Sequence, residues 1–261
     1  MDTVIRLGVF VGMLILMIVW EIYAPRRPLR YSRWQRWPIN IGLSMITTLL
    51  LRFSIGGIAY FSALLAAEMQ FGLLNVINLP VWLSVVLALV LFDLAVYGQH
   101  LLLHRWPLLW RLHKIHHTDL DFDVTTAVRF HPVEIILSLI YKVIIVSLLG
   151  APVVAVLIFE LILSTSALFN HSNIAIPVSW DRRLRWLLVT PDMHRIHHST
   201  DQRETDSNFG FSISVWDRVF GTYTAEPALG HDDMEIGLSQ YRYSPTVTLK
   251  KLLLMPFKSR V

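Results

Sequence analysis

The sequence predicts an all-α integral membrane bundle of about four to five spans, two of them joined as a hairpin, that brings two metals into one pocket. Three observations carry this. Of 261 residues, 54% are hydrophobic and only 16% charged, and the mean hydropathy of +0.51 lies above that of ordinary soluble domains. The apolar residues come in blocks near the roughly 20 that a bilayer span requires. Eight of the eleven histidines fall in three strings, His100-x3-His104, His113-x2-His116-His117 and His194-x2-His197-His198.

The first span runs from about Val4 to Ala24. It sits where a signal peptide would, but lacks a small-residue cleavage site and is followed by five arginines, so it is expected to stay attached. The second covers about Ile39 to Ala67, with Arg52 inside, and the third about Leu79 to Leu103, with Asp93 inside. From Val133 to Phe169 an apolar stretch is interrupted by Gly150-Ala151-Pro152, which reads as two spans joined by a tight turn. The C-terminal Leu249–Phe257 stretch reads either as a helix flat on the bilayer or as a simple buried helix. One integrated membrane domain, residues 1–261, is the simplest count.

Arg26, Arg27, Arg30, Arg33 and Arg36 fill the first connection, which the positive-inside rule puts in the cytoplasm. Residues 68–78 carry no Lys or Arg and belong outside. Alternation then sends residues 104–131 and 171–261 to the cytoplasmic side. Of the 23 basic residues only Arg6, Arg52 and Lys142 fall outside cytoplasmic segments. The threading also gathers every histidine string on one side, although it rests on hydropathy and basic residues and takes no account of the histidines. Trp34 and Trp37 suit an interfacial aromatic belt.

Net charge is +4 and the pI near 9.5. Because the basic residues crowd beside apolar spans, they point to anionic lipid headgroups rather than nucleic acid. With no cysteine there is no disulfide, no iron–sulfur cluster, no thiolate-bound haem and no c-type haem attachment.

Residues three and four apart share a helix face, so each histidine string is expected to turn its rings to one side as a claw. Neutral imidazole suits iron, zinc and copper, and eight such donors exceed one tetrahedral zinc site. A lone histidine on a helix is usually just a satisfied polar residue, whereas three spaced strings in one chain call for a metal. Asp93, Tyr97, His100 and His104, spaced 4, 3 and 4, share one narrow face of the third span. Asp93 is then either the acceptor that fixes the tautomer of a ligating imidazole or a partner for Arg or Lys in a neighbouring helix. Asp119 and Asp121 either orient ligands or are solvated loop acids. His131, ahead of Pro132 at a helix start, is expected to serve the pocket rather than to ligate. Asn170-His171 closes the fifth span where the third also ends, which makes His171 a ninth ligand and puts Asn170 beside it.

These residues carry a resemblance. HRWPLLWRLHKIHHTD, TTAVRFHPVE, FNHSNI, TPDMHRIHHS and NFGFSISVWDRVFGTY are similar to the motif series of the fatty acid hydroxylase/sterol desaturase superfamily. The likeness covers about Asp93 to Tyr223, the expected catalytic region. It implies a helical membrane fold with a cytosolic cap and a histidine-rich di-iron site that uses dioxygen to hydroxylate, or occasionally desaturate, lipid C–H bonds. His100, His104, His113, His116, His117, His194, His197 and His198 match the eight-histidine pattern, and His171 matches a further recurrent histidine. The first pair here has three intervening residues where some members have four. Asn208, Trp216, Asp217, Phe220, Gly221 and Thr222 match a segment expected to cap the site.

The expected function is a lipid hydroxylase with two irons and O2 as co-substrate, acting on a fatty acyl, sterol or related lipid. The chain shows no dinucleotide fingerprint, so electrons are expected from a ferredoxin, a cytochrome b5-like protein or a reductase. A desaturase on the same site is the nearest alternative. A metal transporter or metal-binding membrane protein is a more remote one, since transport histidines would line the spans themselves. Zinc lies above iron in affinity and could occupy purified protein. The compact chain without a fused cytochrome domain favours a bacterial inner membrane over the endoplasmic reticulum.

Overall fold

The computed structural model describes residues 2–54, 58–77, 79–242 and 248–258. Helices dominate it: α1 (Asp2–Tyr23), α2 (Arg33–Ser54), α3 (Ile58–Glu68), α4 (Leu73–Val76), α5 (Val81–Arg105), α6 (Pro107–His117), α7 (Pro132–Leu149), α8 (Val153–Asn170), α9 (Val178–Leu184) and α10 (Pro191–His197). Shorter turns complete the cap, and only isolated bridges, no strands, occur among the described residues.

Four described helices, α1, α5, α7 and α8, are long and apolar enough to cross a membrane. The α7–α8 turn forms as expected, with Gly150 left-handed at φ 59° ending α7. The predicted second span differs. It divides into α2, which starts at Arg33 and contains Pro38, and the shorter α3; residues 55–57 and the side chain of Arg52 lie outside the described residues. A polar first turn and an internal proline make α2 a poor single span.

α1, α5 and α8 run in one direction and α7 in the other. Arg6 meets Glu160 at 2.7 Å, and near the other end of the same two helices Glu21 accepts the Asn173 backbone N–H at 2.7 Å. Phe92 of α5 packs on Phe159 of α8 with ring centroids 5.1 Å apart. Gln99 donates to Ser138 at 2.8 Å and Tyr141 to the Ala95 carbonyl at 3.0 Å, which clasps α5 to α7. At the end away from the histidines the core is built on Ala59, Ala63, Ala88, Ala151 and Ala155, small side chains that let helices approach closely. There Gly72 (φ 99°) lies against the α7–α8 turn: a Cβ on it would fall 2.3 Å from the Gly150 nitrogen. The turn around Gly72 and the 150–152 turn thus share one end, as alternate threading requires.

At the opposite end the connections form a polar layer that closes the bundle. Arg36 of α2 grips Asp119 through two nitrogens at 2.7 and 2.9 Å and reaches Asp123 at 2.6 Å. Asn40 and Thr126 also donate to Asp119. Burial by itself would raise the Asp119 pKa, but Arg36 and Arg129 outweigh it and hold the carboxyl well below the usual carboxylate range. Asp121 accepts the backbone N–H groups of Arg30 and Tyr31. Neither acid orients an imidazole or sits in solvent, a correction to both expectations: each ties the first connection to the segment after α6. Trp34 is exposed, as a belt residue would be, whereas Trp37 donates to Asp123. The C-terminal Leu249–Leu254 helix packs one side on the bundle, with Leu252 fully enclosed beside Leu43 and Ile115, and leaves Leu254 exposed on the other.

Removing one member of a buried ion pair strands the other, which typically costs about 3–5 kcal/mol. Asp119→Ala is therefore expected to destabilise the chain by about that much, read from chemical unfolding in detergent.

Candidate metal centre

The helices that present the histidines start abruptly for local reasons. Pro107 opens α6 directly after α5 ends, and proline tolerates a first helical turn because its missing N–H is not needed there. Pro191 does the same for α10, where Thr190 accepts the Met193 N–H as cap. Arg195 is fully buried on α10, pairs with Asp192 and lies over the Phe122 ring. Arg26 donates to the same Asp192 at 2.9 Å, clamping α10 to the first connection.

All nine predicted histidines come together, in two adjoining groups. His100, His104, His113, His117 and His197 form one, and His116, His171, His194 and His198 the other; within each, one nitrogen per ring lies within 4.8 Å of the rest. The groups touch where His117 stacks on His198 with centroids 4.5 Å apart. One expectation is corrected: an HxxHH string is not a claw turned to one side. At about 100° per residue, the first and last histidines of each string lie about 40° apart while the middle one departs by about 100° from the last. So α6 sends His113 and His117 to one group and His116 to the other, and α10 sends His194 and His198 to one and His197 to the other.

The tautomers follow from the partners. Nδ1 of His100 faces the Phe209 carbonyl at 2.9 Å, of His197 the Ser207 carbonyl at 2.8 Å, of His171 the Ala167 carbonyl at 2.8 Å and of His113 the Glu134 carboxylate at 2.7 Å. A carbonyl or carboxylate only accepts, so each Nδ1 carries the proton and leaves an Nε2 lone pair. The Nε2 atoms of His104, His113, His117, His197 and His198 are buried with no hydrogen-bond partner, a costly state for a polar atom unless something binds it. His171 Nε2 lies 3.0 Å from His116 Nε2 and 3.1 Å from His194 Nε2. Those separations suit neighbouring ligands of an ion about 2.0–2.1 Å from each nitrogen. The donor set therefore fits nitrogen-ligated metal ions.

Burial, reinforced by neighbouring imidazoles, pushes His116, His117, His194 and His198 well below the ordinary value of 6.5. Burial lowers His171 to about 4 and His197 to about 3. Neutral rings are the form that ligates.

The supporting residues depart from expectation. Asp93 accepts from no imidazole; its Oδ2 takes the Trp216 indole N–H at 2.9 Å and the Ile213 backbone N–H at 3.2 Å. It is two helical turns short of His100, too far to reach the ring. Tyr97 hydrogen-bonds Thr222 and stacks on Phe220 at 5.3 Å, holding the cap against α5 instead of lining the pocket. His131 caps α7 by accepting the Val133 N–H and stays away from the site. Asn170 donates to the Phe211 carbonyl, steadying the loop that also supplies Phe209. Asp217 accepts the N–H groups of Phe209 and Gly210 at 2.7 and 2.8 Å and the Thr222 hydroxyl at 2.7 Å, while Asn208 bridges the Met193 and Thr224 carbonyls. Glu134, and Phe130 stacked on His116 at 4.4 Å, were not anticipated. Their signal was membership of the TTAVRFHPVE motif around His131.

Beneath the rings opens a cavity of about 310 Å³ between α5, α7 and α8. His100, His113, His116, His171 and His194 reach it, and Phe92, Val96, Ile135, Leu139, Phe159 and Leu163 supply much of its apolar wall.

Helices, histidine groups and an apolar cavity of this kind define a multi-pass membrane protein with a candidate metal centre. The fatty acid hydroxylase family model matches residues 85–222, just over half the chain, and the protein belongs to that family, within the fatty acid hydroxylase/sterol desaturase superfamily. It is 31% identical over 157 residues to an ornithine lipid hydroxylase of Rhizobium tropici, covering 60% of this chain and 46% of that one. It is 28% identical over 159 residues to the alkylglycerol monooxygenase of Homo sapiens, covering 57% and 33%. With the cholesterol 25-hydroxylase of Rattus norvegicus it shares 29% over 146 residues, covering 55% and 47%. The match thus spans less than half the length of each relative. No solved structure matches the chain significantly.

Two outcomes are expected. Glu134→Gln keeps every imidazole but weakens the hold on His113, and should lower metal affinity about 10–100-fold by equilibrium dialysis. The metal-free chain should lose stability on acidification. Its unfolded histidines take up protons near about 6.5, whereas folded His171 and His197 resist until about 4 and 3. Stability is then full above about pH 6.5 and falls as pH drops towards 4, measurable as a declining unfolding midpoint.

Proposed function

We propose that this protein is a membrane-bound oxygenase that holds two iron ions and uses dioxygen and external electrons to hydroxylate a C–H bond of a lipid. His100, His104, His113, His117 and His197 would hold one ion, and His116, His171, His194 and His198 the other. The observation that carries this reading is two adjoining sets of buried imidazole nitrogens at the head of an apolar cavity. Bound there, iron supplies the dioxygen activation that an unactivated C–H bond requires.

The chain's own residues do the rest. The carbonyls of Phe209, Ser207 and Ala167 and the Glu134 carboxylate keep the Nδ1 protons in place, so the Nε2 atoms stay bare and correctly turned. Phe130 and Phe122, packed on the rings, exclude water. The apolar wall steers a lipid chain beneath the histidines directly from the bilayer. The substrate is a fatty acyl, sterol or related lipid, in keeping with relatives named for ornithine lipid, alkylglycerol and cholesterol. Electrons come from a ferredoxin, a cytochrome b5-like protein or a reductase docking on the cap. The basic connections favour the cytoplasmic side for the centre, in a bacterial inner membrane in preference to the endoplasmic reticulum. Residues 93–223 form the catalytic region of one integrated membrane domain.

The test is comparative lipidomics of cells carrying the intact chain or His116→Ala. The intact chain should yield a lipid heavier by one oxygen that the variant does not make. Loss of two hydrogens would mark a desaturase instead, and an unchanged profile under adequate oxygen would remove the oxygenase reading. Iron analysis of the purified protein should return about two ions per chain, with zinc as the competing occupant.

A further inference from the structure

The cavity under the histidines also meets a charge. Lys142, on α7, lines its wall and donates to Glu160 Oε1 at 3.1 Å. The other oxygen of Glu160 is taken by Arg6 at 2.7 Å. Among the described residues, two cations thus share one carboxylate across three membrane-crossing helices, one more positive charge than negative at this contact. Charges inside a bilayer are expensive and normally face a partner or a functional cavity. Snorkelling toward water accounts for Arg6, near the start of α1 with a side chain 44% exposed. It does not account for Lys142, which is turned toward Glu160 and the cavity.

The neighbouring polar groups are already used. Gln99 donates to Ser138 and Tyr141 to the Ala95 carbonyl. An ammonium has three donors, of which the Glu160 contact occupies one. Along α7, Lys142 stands eight residues beyond Glu134, the acid that holds His113. At 1.5 Å per residue that is about 12 Å. The cavity therefore carries imidazoles at one level and an under-used cation whose backbone position lies about two helical turns further along α7, with apolar wall between.

We infer that Lys142 is a substrate-recognition residue that binds the carboxylate of an acidic lipid lying with its apolar chain directed toward the histidines. This rests on reading the cavity as the lipid site, and it adds to that reading both the chemical class of the substrate and its direction. The carbon presented to the histidines is then one well down the apolar chain, since Lys142 and Glu134 stand about two helical turns apart on α7. Glu160 holds the ammonium in place while the site is empty and competes with the ligand for it, and Arg6 stays paired with Glu160 once the ligand arrives.

Binding of tritiated palmitate and tritiated hexadecanol to the full chain in nanodiscs, without reductant, tests this. The intact protein should bind palmitate about tenfold more tightly than hexadecanol, the effect of one charge-assisted hydrogen bond. Lys142→Gln should weaken palmitate about tenfold while leaving hexadecanol unchanged, which also reports an intact cavity. Lys142→Arg should keep the preference, and Glu160→Gln, which frees the ammonium, should tighten palmitate. Equal binding of the two probes by the intact chain, or a preference that survives Lys142→Gln, overturns the proposal. Should Lys142→Gln fail to fold, unchanged palmitate affinity in Glu160→Gln overturns it equally. Because no turnover is read, this result stands or falls separately from the hydroxylase assignment.

Discussion

Nine imidazoles are packed in one small volume, where burial works against charge on most of them. That constraint organises the rest of the molecule. A protonated ring there would be starved of water, and any second ring that charged would repel it, so the fold supplies acceptors for one nitrogen and leaves the other bare. Backbone carbonyls at Ala167, Ser207 and Phe209 and the Glu134 carboxylate do this for four rings. Ala167 lies one helical turn before His171, but Phe209 is 109 residues from His100 and Glu134 is 21 from His113, so those tautomers exist only once the bundle and its cap have assembled.

The polar layer at the histidine end follows from the same need. Loops that carry carbonyls to the rings would wander unless held, and they are held by buried charge. Asp217 fixes the 207–210 loop through two backbone N–H groups, Arg36 and Asp119 fix the segment after α6, and Arg26 and Asp192 fix α10. Such networks contribute little net stability compared with apolar packing. What they do here is define one arrangement of loops around a donor set that tolerates little displacement. Asp93 plays the matching part within α5, where it anchors Trp216 of the cap and so ties the cap to a membrane-crossing helix.

The cavity joins this centre to the apolar part of the bundle without an aqueous step. Its walls come from the same helices, α5, α7 and α8, whose ends position histidines or their acceptors. Depth in the cavity is therefore measured along helices that also fix the rings. A change in helix packing would alter both the reacting position and the metal donors together.

Much was legible in the sequence because it depended on local rules. Hydropathy blocks located α1, α5, α7 and α8, Gly150 marked the turn between the last two, histidine spacing named eight of the nine rings that the structure gathers, and the end of the fifth span named His171. What stayed hidden was pairing across long separations. Nothing near Asp93 announces a tryptophan 123 residues later, nor does Asp119 announce Arg36, 83 residues earlier. The 100° step of a helix shows that HxxHH cannot face one way, yet which ring joins which group depends on how α6 and α10 are oriented against each other. Residue type and spacing thus determined the spans and the donors; tertiary packing alone decided their partners, because hydrogen bonds and ion pairs form by distance in space and not along the chain.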